Sequence, residues 1–340
     1  MPPPDPKTER TWRRLANGEL SWETLRLRSR ILDRIRAYFR ARGFLEVDPP
    51  IAVPYPNIDP NVYPVNLTDA RGRAEATRFL HTSPELSMKK LIAAGSGNLF
   101  YLGKVFRDRE GSPLHHSEFT MLEWYRVGES AESVREDVEV LTRELAREFH
   151  GREEILWSGG TVPLSGKWTR WELSDAFDVL LGASMGEEES LRSALSRKGL
   201  RPGGADRWED LFFRSYVDVI EPALKEKGPV FLTGFPSALA AMAKRRKGNE
   251  GICERFEGVL CGVELVNGYE ELTDPGEQEE RLRQLAARHE RQTGIALPID
   301  PDFLDALRMG LPPCSGAALG VDRLAMLLLG KDTIEDVAIR

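Results

Sequence analysis

The sequence predicts an α/β (α+β) fold, a mixed and largely antiparallel sheet flanked by helices. Two observations carry that expectation and a third narrows it. Leu99–Arg107 with Glu118–Val127, and Phe256–Leu260 with Gly262–Asn267, read as two pairs of strands close enough in the chain to form antiparallel hairpins. Segments with apolar residues at helical spacing surround them. No G-x-G-x-x-G stands between a strand and a helix and no G-x-x-x-x-G-K-[ST] occurs, so a doubly wound nucleotide-binding sheet is not expected.

Residues 1–20 read as a short polar leader. A helix is expected from Ser21, a capping residue, to about Arg42. Leu25, Ile31, Leu32, Ile35, Tyr38 and Phe39 form its stripe, and Gly43 suits the left-handed position beyond its end. Phe44–Ile51 reads as a short strand stopped by Pro49 and Pro50. Ser83-Pro84-Glu85 opens a second helix that Gly95 closes. The first hairpin should carry a long polar tip, Asp108–Ser117. A helix follows from about Glu129 to His150, with Val134, Val138, Leu141, Leu145 and Phe149 on one side. Residues 168–227 read as a mostly helical insertion: Trp171–Leu181, Glu187–Arg197 and Trp208–Lys225. A strand is expected at Val230–Gly234 and a helix from Asp274-Pro275-Gly276-Glu277. Gly316–Gly320 feeds an apolar helix, Val321–Leu329.

The 340 residues allow one large domain or two ordinary ones. With 41% hydrophobic and 30% charged residues the chain should fold, and its longest apolar run, Leu324–Leu329, is too short to span a bilayer. The N-terminus has no apolar signal segment, and the three cysteines form no C-x-x-C, so a reduced, cytoplasmic setting is expected. The net charge of −7 argues against a general polyanion binder. Local basic segments remain at residues 7–42 and Lys244–Lys247, each a solvated face or a docking surface for an acidic partner. His115 and His116 lack further ligands at zinc spacing.

Two segments carry chemistry. Period 2 puts Phe119, Met121, Glu123 and Tyr125 on one strand face, mixing polar groups with large apolar ones as a pocket wall does. Glu257, Glu264 and Glu271 recur seven apart, and acids brought together need a cation such as Mg²⁺ or a substrate ammonium.

Together these segments resemble the class II aminoacyl-tRNA synthetases of the lysine branch. Val105-Phe106-Arg107 with His116 and Phe119-Thr120-Met121-Leu122-Glu123-Trp124-Tyr125 is similar to motif 2, residues 43–50 to motif 1 and residues 316–324 to motif 3. Thr82-Ser83-Pro84-Glu85 and residues 264–272 match the lysine-binding segments, so the resemblance covers about residues 21–340 as one catalytic domain. No anticodon-binding domain fits into the leader. That points to the paralogous branch, which attaches (R)-β-lysine to a lysine of elongation factor P. Ala318, where lysyl-tRNA synthetases usually have glycine, is the exchange that favours a β-amino acid there. A lysyl-tRNA synthetase lacking its anticodon domain shares these motifs. The missing domain, Ala318 and the acidic balance count against it, so tRNA is not expected as a partner. A catalytically silent synthetase-like subunit is a further reading. Retention of Arg107, Glu264, Glu271 and Arg323 counts against that one.

The resemblance implies ATP and Mg²⁺, a homodimer through the motif 1 region, and elongation factor P as protein substrate. Arg107 would hold the α-phosphate and the amino-acid carboxylate. Asp108, Arg109, Glu110, His116, Phe119, Glu264, Leu265, Gly320 and Arg323 would bind ATP, with Phe119 and Arg323 sandwiching adenine. Glu257 and Glu264 would hold the metal. Ser83, Pro84, Glu85, Glu123, Tyr125, Asn267, Glu271 and Ala318 would surround the substrate, with Glu85 and Glu271 on its ammonium groups. The family often has glutamate two residues after the motif 2 arginine. Here that position is Arg109, and Glu110 is expected to serve by a shift in the loop.

Overall fold

The computed structural model describes residues 11–59, 62–69, 78–157 and 159–339. Within the expected leader, α1 (Thr11–Ala16) is helical, and residues 1–10 lie outside the described residues. The chain continues through α2 (Trp22–Ala41), capped by Ser21 Oγ, which accepts from the Thr24 N–H. Of the strand expected at 44–51 only β1 (Leu45–Glu46) forms. Pro49 and Pro50 cannot donate to a ladder, which keeps it short. Next come β2 (Ala52–Val53), β3 (Val65–Leu67), β4 (Arg78–Leu80) and α3 (Glu85–Ala93).

The central hairpin is β5 (Leu99–Ser112) and β6 (His115–Val127). Its tip corrects the expected ten-residue loop. The strands run to within two residues of each other, because a hairpin arm exposed on both faces can be polar throughout and still pair its backbone. A bulge interrupts it: Phe106 pairs with Glu118, but the next pair is Gly111 with His116.

After α4 (Ala131–His150) and the small hairpin of β7 (Glu154–Trp157) and β8 (Gly160–Pro163), β9 (Thr169–Glu172) joins the main sheet. The helices α5 (Leu173–Leu181), α6 (Glu188–Arg197), α7 (Trp208–Ser215) and α8 (Glu221–Leu224) follow. A π-helical turn, Tyr216–Ile220, links α7 to α8. Their apolar faces form a cluster of their own. The chain ends with β10 (Val230–Pro236), β11 (Arg245–Arg246), β12 (Asn249–Leu260), β13 (Val263–Glu270), α9 (Pro275–Thr293), α10 (Pro301–Gly310), β14 (Cys314–Gly320) and α11 (Val321–Leu328).

The main sheet has the order β1-β5-β6-β14-β13-β12-β10-β9, with β11 on β12. Its pairs are antiparallel except β1–β5 and β9–β10. Alternation along β5 and β6 divides the core. Phe100, Leu102, Leu122 and Trp124 pack with α2, α4 and α11. Leu99, Tyr101, Val105, Met121 and Tyr125 face the other way with α3 and α10. Among the described residues no helix is long and apolar enough to cross a membrane.

Asp137 on α4 ties the first layer together. Tyr38 Oη and Trp124 Nε1 donate to its carboxylate at 3.0 Å each, and Arg126 donates from Nε at 2.6 Å and from Nη2 at 2.8 Å. Asp137 is buried, so Asp137→Ala strands two buried donors and leaves the half-buried Arg126 to Glu129 alone. The expected cost is about 3–5 kcal/mol, read as a lower denaturation midpoint with an unchanged m-value.

Candidate active site

The register of four strands lays out the site. Glu123 on β6 pairs with Ala318 on β14, Ala318 with Asn267 on β13, and Asn267 with Glu257 on β12. Paired residues share a face, so these form one row. The next row is Tyr125, Gly316, Tyr269 and Arg255. A Cβ on Gly316 would fall 2.4 Å from the Tyr125 ring, so this glycine lets Tyr125 lie across its neighbour.

Among the described residues three cavities adjoin this face, and two of them meet at Arg107. One is lined by Arg107, Glu110, His115, His116, Phe119, Glu264, Leu265, Gly320 and Arg323. The other is lined by Asn57, Asp59, Ser83, Glu85, Glu123, Tyr125, Tyr269 and Glu271. Arg107, Met121, Asn267 and Ala318 line both. Pro84, Asp108, Arg109 and Glu257 line neither of them. Pro84 precedes α3. The Asp108 backbone N–H donates to the Tyr63 carbonyl at 2.7 Å, and Arg109, at φ +62°, stacks its guanidinium 4.2 Å from the Tyr63 ring centroid. Glu110, on the far side of the bulge, does reach the cavity lining.

The second cavity is acidic. Glu123 accepts from Ser83 Oγ at 2.7 Å and from Tyr125 Oη at 2.8 Å. Burial and then the charge of Glu85 push its carboxyl up to about 7, against the pull of those two hydroxyls. Glu85 accepts from Tyr269 Oη at 2.8 Å and from Asn57 at 3.3 Å. Glu271 is pushed up to about 8, chiefly by burial, and its Oε1 has no hydrogen-bond partner. Lys89, invisible as a site residue in the sequence, pairs with both Glu85 and Glu271.

The first cavity is cationic at its inner end. Arg107 Nε is buried without a hydrogen-bond partner, and the guanidinium lies 5.2 Å from the Phe119 ring centroid. Burial pulls its pKa down, while Asp59, Glu110 and Glu264 pull it up from a distance. Arg323 donates to the carbonyls of Leu114 (3.1 Å) and Glu264 (2.7 Å) and meets His115. His116 is 3.3 Å from Glu335. Burial and Arg323 keep the His115 pKa low.

The three glutamates spaced seven apart do not converge. Glu271 sits in the acidic cavity, whereas Glu257 and Glu264 share the other end of the β12–β13 hairpin. Glu257 accepts from Arg255 at 2.7 Å and from Tyr216 of the π-helical turn, a partner the sequence did not announce. Burial and then the charge of Glu264 push Glu257 up to about 7. Among the described residues no group of three or more His, Cys, Asp and Glu could hold a metal alone. Two repelling carboxylates nevertheless fit Mg²⁺, which usually takes one or two and completes its shell with water and phosphate.

An acidic cavity that meets a cationic one at an unpaired arginine suits an enzyme that joins an amino acid to a nucleotide. The chain belongs to the class II tRNA synthetases (D, K and N), whose family model matches residues 6–339. It is similar to the elongation factor P–(R)-β-lysine ligase homolog of Aquifex aeolicus (strain VF5), 36% identical over 306 residues, 89% of this chain and 94% of that protein. The elongation factor P–(R)-β-lysine ligase of Pasteurella multocida (strain Pm70) is 35% identical over 319 residues, covering 93% and 94%. The lysine–tRNA ligase of Dehalococcoides mccartyi (strain CBDB1) is 30% identical over 329 residues, 93% of this chain but 64% of that protein.

Because the Ser83 hydroxyl favours the ionised form of Glu123, Ser83→Ala should move its midpoint upward from about 7. A carboxyl-carbon NMR titration checks this. A midpoint in the ordinary carboxylate range for the unaltered protein would contradict the burial argument.

Proposed function

We infer that this protein is an ATP-dependent ligase. It activates (R)-β-lysine or lysine as the aminoacyl-adenylate and transfers it to a lysine side chain of elongation factor P. The observation that carries this reading is Arg107. Among the described residues it has no ion-pair partner, and it stands where the acidic cavity meets the one containing Phe119 and Arg323. A half-buried guanidinium left without a carboxylate suits incoming anions, and its planar fork can take two oxygens at once.

In the first step a carboxylate oxygen of the amino acid attacks the α-phosphorus of ATP and pyrophosphate leaves. The two reactants are both anions, so catalysis is alignment and charge neutralisation. Arg107 holds the carboxylate and the α-phosphate together. Phe119 and Arg323 embrace the adenine, with Glu110, His116, Leu265 and Gly320 around the nucleotide. Mg²⁺ bound at Glu257 and Glu264 would supply further neutralisation of the phosphates. Glu85, Glu123 and Glu271 take the ammonium groups, with Tyr125 and Ser83 fixing Glu123. In the second step the acceptor amine attacks the anhydride carbonyl. An amide bond forms, AMP leaves with the bonding pair and the amine proton passes to water. Ala318, between Glu123 and Asn267 in the register, narrows the substrate wall by one methyl group and favours the β-amino acid. The names of the Aquifex and Pasteurella relatives support the acceptor. The same reading expects a cytoplasmic protein and a homodimer through residues 43–51, where Leu45 and Ile51 are exposed.

Mass spectrometry of elongation factor P after incubation with this protein, ATP and each lysine isomer tests the reading. Modification with (R)-β-lysine ahead of α-lysine is expected. Charging of tRNA with an unmodified factor would overturn it. Arg107→Ala should lower ATP–pyrophosphate exchange by roughly 10²–10³-fold, the scale of losing one preorganised charge-stabilising group. For the nucleotide, Glu110→Gln should raise the KM for ATP while Arg109→Ala leaves it nearly unchanged, as steady-state exchange kinetics will show.

A further inference from the structure

A cation is buried behind the wall of the acidic cavity. Lys89, at 1% exposure, places Nζ 2.6 Å from Glu85 Oε1 and in contact with Glu271 Oε2. Its Nζ is 5.5 Å from the Tyr269 ring centroid. The titratable groups facing it are Glu85 on its own helix, Glu123 and Tyr125 on β6, Tyr269 and Glu271 at the end of β13, and Cys314 on β14. Burial works against its charge, and Glu271 and Glu85 outweigh burial and hold the proton on. An ammonium this deep needs carboxylate partners, and it has two.

Of the four acids in the lining, Asp59 acts on Arg107, and the three around Lys89, namely Glu85, Glu123 and Glu271, face its one ammonium when fully ionised. Two negative charges are left over. A diamino acid whose carboxylate is held by Arg107 brings two ammonium groups. We propose that Lys89 is a specificity-determining residue: a built-in counter-ion that sets the ammonium capacity of the cavity at two. A substrate with a single ammonium then leaves a buried carboxylate unpaired and is rejected. This deepens, and rests on, the reading of the protein as a diamino-acid ligase.

The charge count has a signature that packing alone would not give. Lys89→Met leaves three carboxylates facing two ammonium groups, and Glu271→Gln leaves one net negative charge facing two. Each should raise the KM for (R)-β-lysine in ATP–pyrophosphate exchange by about tenfold or more, the scale of one buried charge left unpaired. The KM for ATP should stay within about twofold, because ATP binds in the adjoining cavity. The double variant restores two negative charges for two ammonium groups. It should bind (R)-β-lysine better than either single variant, and Glu271→Gln, whose capacity is one ammonium, should lose discrimination against a β-amino acid with one ammonium. A double variant no better than the worse single one, or Glu271→Gln with unchanged discrimination, overturns the proposal. If Lys89→Met alone does not fold, the double variant is compared with Glu271→Gln. Tighter binding supports the count and weaker binding overturns it. Absence of diamine-dependent exchange in the unaltered protein would instead overturn the ligase reading, before any variant is made.

Discussion

The site exists because β12, β13, β14 and β6 hold one antiparallel register. Glu257, Asn267, Ala318 and Glu123 come from segments up to about 200 residues apart in the chain, yet they form one row because their backbones pair. A slip of one residue in any of these strands would turn its side chain to the opposite face. That opposite face is filled by Phe256, Val266, Ala317, Leu319, Leu122 and Trp124 against α4 and α11, so the slip would bury charge and expose the core. The hydrophobic layer thus enforces the placement of the polar one. Asp137, with its bonds to Tyr38, Trp124 and Arg126, fastens that layer to the helices behind it.

Electrostatics then separates two kinds of cation. Lys89 is satisfied by carboxylates of its own chain, whereas Arg107 is not. Lys89 and the Arg107 Nε are buried, and there an unpaired charge is costly and a new partner is correspondingly favoured. The acids respond in kind. Burial pushes the Glu123 and Glu271 carboxyls up toward neutrality, and a cation entering the cavity would favour their ionised forms. The Tyr216–Glu257 bond extends this polar network into the helical segment that follows β9.

Much of this was legible in the sequence where local pattern and tertiary role agree. The alternation of Phe119, Met121, Glu123 and Tyr125 gave the inner face, and Tyr125 and Met121 do pack there. Asp274-Pro275 announced α9, while Asp300-Pro301, with the same chemistry, caps α10 and went unread. Lys89 was hidden for a physical reason. A lysine four residues after a glutamate on a helix is the ordinary pattern of a solvent-exposed ion pair. Only the arrival of Glu271, 182 residues later in the chain, makes the pair a buried triad. The hairpin tip was hidden because polarity on both faces resembles a loop, and the bonds that extend the strands are between backbones. Glu257 was legible as an acid but not as one already engaged, since Arg255 and Tyr216 approach it from β12 and from the segment after α7.

The bulge in β5 has a consequence for comparing such chains by their letters. Between the pairs Phe106–Glu118 and Gly111–His116, four residues on one strand answer a single residue on the other. Parity is reset there, so inward and outward positions can no longer be counted from Arg107. Arg109, accepting a left-handed backbone and leaning on Tyr63, absorbs the surplus, and an acid displaced by one step in the text still arrives at the wall of the cavity that contains Phe119 and Arg323. Spelling and geometry are uncoupled at this point. A strict template that demands glutamate at a fixed offset from the arginine would reject a chain whose three-dimensional lining still contains it.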